Sequence, residues 1–212
     1  MFFTINRSTT AGLFPVRRDA LNETLLDRIR ILAFSTHLDW MAIAWREDAL
    51  HGIVFGHALR RHAEVALTRS LRLPPQSFWL VGDLQLADAP GWIGELIATL
   101  RQFAEGQSVG FSEVPLALDH LSPFARRVVE ACRRIPWGQV RTYGQLAAVC
   151  GSPGAARAVG SVMAKNRFPL IVPCHRVLAA GGELGGYSAP AGLQMKRRLL
   201  EMEAAVVSGN PE

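Results

Sequence analysis

The sequence predicts an α+β protein, a small mixed α/β N-terminal domain followed by a mostly helical C-terminal domain with a helix-turn-helix. Three observations carry this prediction. Residues 38–55 hold two apolar runs either side of the acidic pair Glu47-Asp48, a hairpin pattern. From Ser122 onward apolar residues recur at helical spacing. Two short helical stretches in that region meet at Gly151-Ser152-Pro153.

Taken in chain order, residues 1–30 read as an extension with some helix around Ala20–Ile31. The hairpin follows, with Trp40–Trp45 as one strand and Gly52–Phe55 as the return. His57–Leu71 has the spacing of an amphipathic helix, ended by Pro74-Pro75. A strand is expected near Phe78–Val81. Gly91–Ala104 is a second helix, with Trp92, Ile93, Leu96, Ile97 and Leu100 on one face. Val114–Leu118 is expected to be a last strand. Ser122-Pro123 is an N-cap followed by a proline at the first helical position, which opens a helix carrying Phe124, Val128, Val129 and Ala131. The domain boundary is therefore set near Asp119–Ser122, giving an extension (1–30), a mixed domain (31–120) and a helical domain (121–212). Tyr143–Cys150 and Gly154–Lys165 form the helix-turn-helix. Leu170–Val172 is read as a short extended piece, Ala179–Gly182 as a turn, and Gly192–Ala205 as the final helix.

Composition narrows the class. The chain has 212 residues, 49% of them apolar, enough for a sizeable core in one large or two small domains. The net charge of +5 favours polyanionic partners. Basic pairs recur at Arg126-Arg127, Arg133-Arg134 and Lys196-Arg197, although any one pair also suits a solvated helix face. Cys132, Cys150 and Cys174 make an odd count without framework spacing, so free thiols in a reducing, cytoplasmic setting are expected. No apolar run approaches the ~20 residues of a membrane span. No cysteine precedes Cys132 and the histidines lack ligand spacing, so no metal site is expected.

The most informative stretch is Ile171-Val-Pro-Cys174-His175-Arg176-Val177. A thiol beside an imidazole and a guanidinium is a candidate nucleophile, because positive surroundings lower a thiol pKa. A cysteine ending an apolar run is more often a buried structural residue. What surrounds this one shifts the balance. Upstream are Pro136-Trp-Gly-Gln-Val-Arg-Thr-Tyr143-Gly, the small-sided run Ala155-Ala156-Arg157-Ala158-Val-Gly160-Ser161, and Asn166. Downstream are Gly185-Gly186-Tyr187-Ser188, Lys196-Arg197 and Glu203. A helix with such small side chains suits close packing. It equally suits close approach to DNA, since a minor groove ~6 Å wide excludes bulky groups.

In order and spacing this array, over roughly Ser122–Ala205, resembles the active-site domain of the O6-alkylguanine-DNA alkyltransferases, also called methylated-DNA–protein-cysteine methyltransferases. The first 120 residues match loosely. The resemblance implies a DNA repair protein that moves an alkyl group from O6 of guanine to its own Cys174, once and irreversibly, with no cofactor. The implied partner is double-stranded DNA containing O6-alkylguanine, bound through the minor groove by a monomer. The target base is flipped out, because a sulfur cannot reach it in the stack. Ala155, Ala156, Ala158 and Gly160 would face the groove, and Arg157 would fill the gap the base leaves. Tyr143 would donate a proton or hydrogen bond to the leaving guanine, and Asn166 would tie the recognition helix to the active-site segment. A relay of Cys174, water, His175 and glutamate is implied; counting along the final helix selects Glu203 over Glu201. Val177, Gly186, Tyr187 and Ser188 would border the alkyl group, and Arg176 would pack beneath the site.

Two other classes compete. An alkyltransferase-like sensor binds the lesion without a nucleophile, and Cys174 speaks against it. A cysteine hydrolase needs an imidazole set on the sulfur from elsewhere in the fold, and the adjacency of His175 works against that.

Overall fold

The computed structural model describes residues 28–82 and 89–208. An antiparallel meander of β1 (Ile29–Thr36), β2 (Asp39–Arg46) and β3 (Ala49–His57) opens the described chain, followed by helix α1 (Arg60–Leu71). The short strand β4 (Phe78–Leu80) then runs parallel to β1, giving the order β3-β2-β1-β4. Both hairpin loops are two residues long. The second falls at Glu47-Asp48 as the sequence predicts, with Glu47 at φ 51°.

The meander is apolar on both faces, and the alternation of side chains divides it in two. Ile31, Ala33, Ala42 and Ala44 face α1, where they meet Ala63 and Leu67. Leu32, Phe34, Met41, Ile43 and Trp45 face the opposite way, into the main core. The alanines on the first face let α1 lie close; the large residues on the second fill the middle of the molecule. Helix α2 (Gly91–Ala104) covers that second face with Ile93, Leu96, Ile97, Leu100 and Phe103, all buried at helical spacing. The same apolar cluster continues through Val128, Leu146, Val159, Phe168 and Leu199 in the C-terminal half.

Helix α3 (Pro123–Arg133) starts where the sequence predicts: the Ser122 hydroxyl accepts a hydrogen bond from Ala125 N at 3.3 Å. The two-residue strand β5 (Arg141–Thr142) precedes helix α4 (Tyr143–Val149). A full capping box pins that helix start, with Thr142 Oγ1 accepting from Gln145 N and Gln145 Oε1 accepting from Thr142 N. Helix α5 (Ala156–Ala164) follows a turn in which Gly151 and Gly154 hold φ values of 70° and 90°, conformations that cost a side-chain-bearing residue strain. A 3₁₀ turn (Cys174–Arg176) leads into β6 (Val177–Leu178), which pairs in parallel with β5, and α6 (Leu193–Ser208) closes the described chain. Among the described residues no helix is long and apolar enough to cross a membrane.

Four sequence expectations are corrected. The helix expected over Ala20–Ile31 lies largely outside the described residues, and its last three positions belong to β1. Both faces of β1 are covered, so it lacks the polar alternation that would mark it as a strand. Val114–Leu118 is not a sheet strand. It makes one bridge, Leu50 to Leu116, because Pro115 has no N–H to extend a ladder. Leu170–Val172 is a turn rather than an extended piece, with Leu170 at φ 72° and Val172 N bonded to Phe168 O at 2.7 Å. The helix read from His57 begins at Arg60.

Candidate active site

Cys174 sits where the turn after α5 meets β6, and backbone bonds fix the approach. Cys174 N donates to Val172 O at 2.7 Å. Asn166 braces the same loop from both sides: its Nδ2 donates to Val172 O at 2.9 Å, and its Oδ1 accepts from Phe168 N at 2.9 Å. Ile53 N, on β3, donates to Arg167 O at 2.8 Å, so the sheet also holds this loop.

Behind the sulfur lies a buried polar cluster. His175 is fully buried, and its Nε2 stands 2.8 Å from Glu203 Oε1. Arg176 donates to both carboxylate oxygens, Nε at 2.9 and 3.1 Å and Nη2 at 2.9 Å. Gly138 N adds a fourth donor to Glu203 at 3.1 Å. The third guanidinium nitrogen, Nη1, is capped by Ile135 O at 2.5 Å. Trp137 Nε1 meets the Glu203 carbonyl at 3.2 Å, and its ring lies under the guanidinium. Glu203 is thus the carboxylate that meets His175, whereas Glu201 is exposed.

Ionisation follows from this packing. Burial pushes the Glu203 carboxyl up, but the hydrogen bonds and charges of His175 and Arg176 outweigh it and hold it below its ordinary value. Burial lowers His175 despite the carboxylate beside it, so the imidazole rests neutral. Burial also raises the Cys174 thiol, against the opposing pull of Asn166 and the Lys196 ammonium. The sequence leads one to expect electropositive surroundings that lower this thiol. The structure corrects that: burial of Cys174 outweighs the charge supplied to it, and the thiol pKa is raised rather than lowered.

Two buried polar atoms of residues that neighbour Cys174 in sequence or in the cleft lining lack partners. One is His175 Nδ1, the ring nitrogen opposite Glu203; the other is the Tyr187 hydroxyl. That hydroxyl stands close enough to Cys174 for each to influence the other's ionisation, but their geometry falls short of a hydrogen bond.

The sulfur opens into a cleft of about 710 Å³. Of the residues singled out from sequence, Tyr143, Ala156, Arg157, Gly160, Gly186, Tyr187 and Ser188 line this cleft with Cys174. Arg157 and Ala158 are exposed on the outer face of α5, and Ala155 is its N-cap residue. Gly185 packs directly on Tyr143: a Cβ there would fall 2.7 Å from the phenol oxygen. Val177 is not in the lining. It is fully buried in β6, where its carbonyl receives Lys196 Nζ at 2.6 Å.

Lys196 is the residue sequence reasoning missed. It reads as half of a solvated basic pair yet has no exposed surface. The signal was available: Lys196, Leu199 and Glu203 lie three and four residues apart, one stripe of α6, and all three are buried. The Arg176–Glu203 pair was likewise unread, since nothing in the spacing links positions 27 apart. Among the described residues no three His, Cys, Asp or Glu side chains gather as metal ligands would.

Residues 123–205 match the family described as 6-O-methylguanine DNA methyltransferase, DNA binding domain. The chain is 37% identical over 120 residues to the methylated-DNA–protein-cysteine methyltransferase of Methanothermobacter thermautotrophicus, spanning 57% of this chain and 66% of that relative. It is 38% identical over 130 residues to the protein of the same name from Metallosphaera sedula, spanning 61% of this chain and 79% of the relative. The crystal structure of Mycobacterium tuberculosis OGT in complex with DNA superposes with a TM-score of 0.65 at 29% identity, covering 83% of this chain and 93% of that one. The chain belongs to the methylated-DNA–protein-cysteine methyltransferase family.

Proposed function

We propose that this protein repairs DNA by transferring an alkyl group from O6 of guanine to Cys174, one group per molecule. The observation that carries the proposal is Cys174 in the lining of a cleft walled by the helix-turn-helix, with the adjoining residue His175 hydrogen-bonded to buried Glu203. In this reading the buried imidazole donates its Nε2–H to Glu203 in a hydrogen bond, and the bare Nδ1 takes the thiol proton through a bridging water. The sulfur then attacks the alkyl carbon in line. The S–C bond forms as the C–O bond breaks, and the electron pair leaves on guanine. Tyr143 stabilises that anion by donating from its hydroxyl. The product is a thioether, so the protein is spent. None of these steps calls on a cofactor or metal.

DNA is the proposed partner, bound by a monomer through its minor groove along α5. The exposed, small surface of Ala158 and Ser161 suits close approach, and Arg157 at the cleft mouth suits filling the gap behind a flipped base. Three unpaired thiols suit a reducing cytoplasm. The helical part from about residue 121 is proposed as the DNA-binding and active-site domain.

Incubation with duplex DNA containing O6-methylguanine, followed by weighing of the protein, tests the proposal. One added methyl group on Cys174, absent from Cys174→Ala, is the expected result. Tight binding without a mass change would instead make the protein a lesion sensor. Arg157→Ala should slow transfer from duplex DNA more than transfer from free O6-benzylguanine, which needs no extrusion. Equal losses would remove Arg157 from base flipping.

A further inference from the structure

Cys174 borders two cavities. Besides the cleft at the helix-turn-helix, a second cavity of about 720 Å³ opens from the sulfur toward the sheet. Ala164, Cys174, Tyr187 and Ser188 line both. The second cavity differs in charge: His57, Arg72, Lys165 and Arg167 line it, and no carboxylate does. None of the three cations forms an ion pair among the described residues. Arg167 is half-buried, and both burial and the facing Arg72 guanidinium work against its charge. Arg72 is exposed and Arg167 partly buried, and two guanidiniums lining one cavity with no carboxylate in its wall favour an anion there.

The geometry of the transfer says where that anion would come from. In an in-line displacement the sulfur and the departing oxygen lie on opposite sides of the reacting carbon, so the rest of the substituent must project sideways. With guanine in the cleft beside Tyr143, the adjoining space is the second cavity. Resting on the transfer reading above, we infer that this cavity receives the body of large O6 substituents, and that Arg72 and Arg167 favour those ending in a carboxylate. The reaction is unchanged: the thiol proton goes to His175, the S–C bond forms as the C–O bond breaks, the electron pair leaves on guanine, and the carboxylate stays ionised against the arginines.

Single-turnover transfer at saturating protein tests this with duplexes carrying O6-methylguanine, O6-carboxymethylguanine and O6-(3-carboxypropyl)guanine. The neutral carbamoyl counterpart of each acid serves as its control. The carboxylate should react about three- to fivefold faster than its carbamoyl twin for the longer chain, the scale of a partly exposed ion pair. The preference should be smaller for the shorter chain, which falls short of the arginines, and should shrink as salt screens the pair. Arg72→Gln and Arg167→Gln should erase the preference while methyl transfer and thermal stability stay as they are. A preference that is absent, or that survives in both variants, overturns the inference. So does a loss of methyl transfer together with weaker binding to undamaged DNA, since the arginines would then be contacts to backbone phosphate. Failure of the native protein to take up methyl would instead overturn the transfer reading itself.

Discussion

The two ends of the line from Cys174 to Glu203 are built in opposite ways. At the carboxylate end every group is answered: Glu203 takes donors from His175, Arg176 and Gly138, and the spare guanidinium nitrogen is capped by a carbonyl. At the sulfur end the Nδ1 of the same histidine and the hydroxyl of Tyr187 are buried without partners. One end is finished by the fold, and the other is left for something that arrives. A satisfied network fixes the ring; an unsatisfied edge keeps its bonding capacity for a reaction.

The largest way to break this contrast is at the finished end. Glu203→Ala leaves the Arg176 charge buried and unanswered, and stability to urea should fall by ~3–5 kcal/mol. A loss under ~1 kcal/mol would mean that solvent reaches the cluster. The next effect belongs to the open end. Tyr143→Phe keeps the ring against Gly185 and deletes one donor, so single-turnover transfer should slow by ~10²–10³ at most, with lesion affinity nearly unchanged. An unchanged rate would reduce Tyr143 to packing.

Acidity should separate the ends more gently. The folded protein holds His175 below its ordinary 6.5 and Glu203 below its ordinary 4.5. The unfolded chain therefore takes up protons first as pH falls, and this stability, whole above pH 6.5, erodes below it and again below 4.5. Cys174 is shifted the other way, above its ordinary 9.0, so its contribution is whole below pH 9 and erodes above it. Denaturation midpoints across pH should show a shallower alkaline slope in Cys174→Ala than in native protein, the remainder coming from Cys132 and Cys150, whose thiols burial also raises. The smallest expected change is Tyr187→Phe. Removing a buried, unpartnered hydroxyl should leave stability within ~1 kcal/mol of the native value, on the stabilising side. A larger loss would reveal a partner for that oxygen.

How much of this was readable beforehand depends on whether the information is local. The Glu47-Asp48 turn, the Ser122 cap and the span of α2 are written in adjacent residues, and the sequence predicts each. Cys174, Tyr143 and Asn166 were legible through motif order. β1 was not, because coverage on both faces comes from α1 and α2, which no local pattern reports. Lys196 looked like surface because its partner, the Val177 carbonyl, is supplied by β6, 19 residues away. The sign of the thiol shift was misjudged for the same reason: neighbours in sequence reveal charge, but exclusion of water is a property of the assembled core.

One small feature ties these distances together. β5 and β6 share only two pairs, Arg141 with Val177 and Thr142 with Leu178. Tyr143 begins immediately after one strand, and Cys174 lies three residues before the other. This ladder is therefore the gauge block of the site, setting how far Tyr143 stands from Cys174. A slip of one residue would turn Thr142 over and carry the capped start of α4 away with it. Amide exchange at these rungs would time how often the protein loosens its grip on its own working distance.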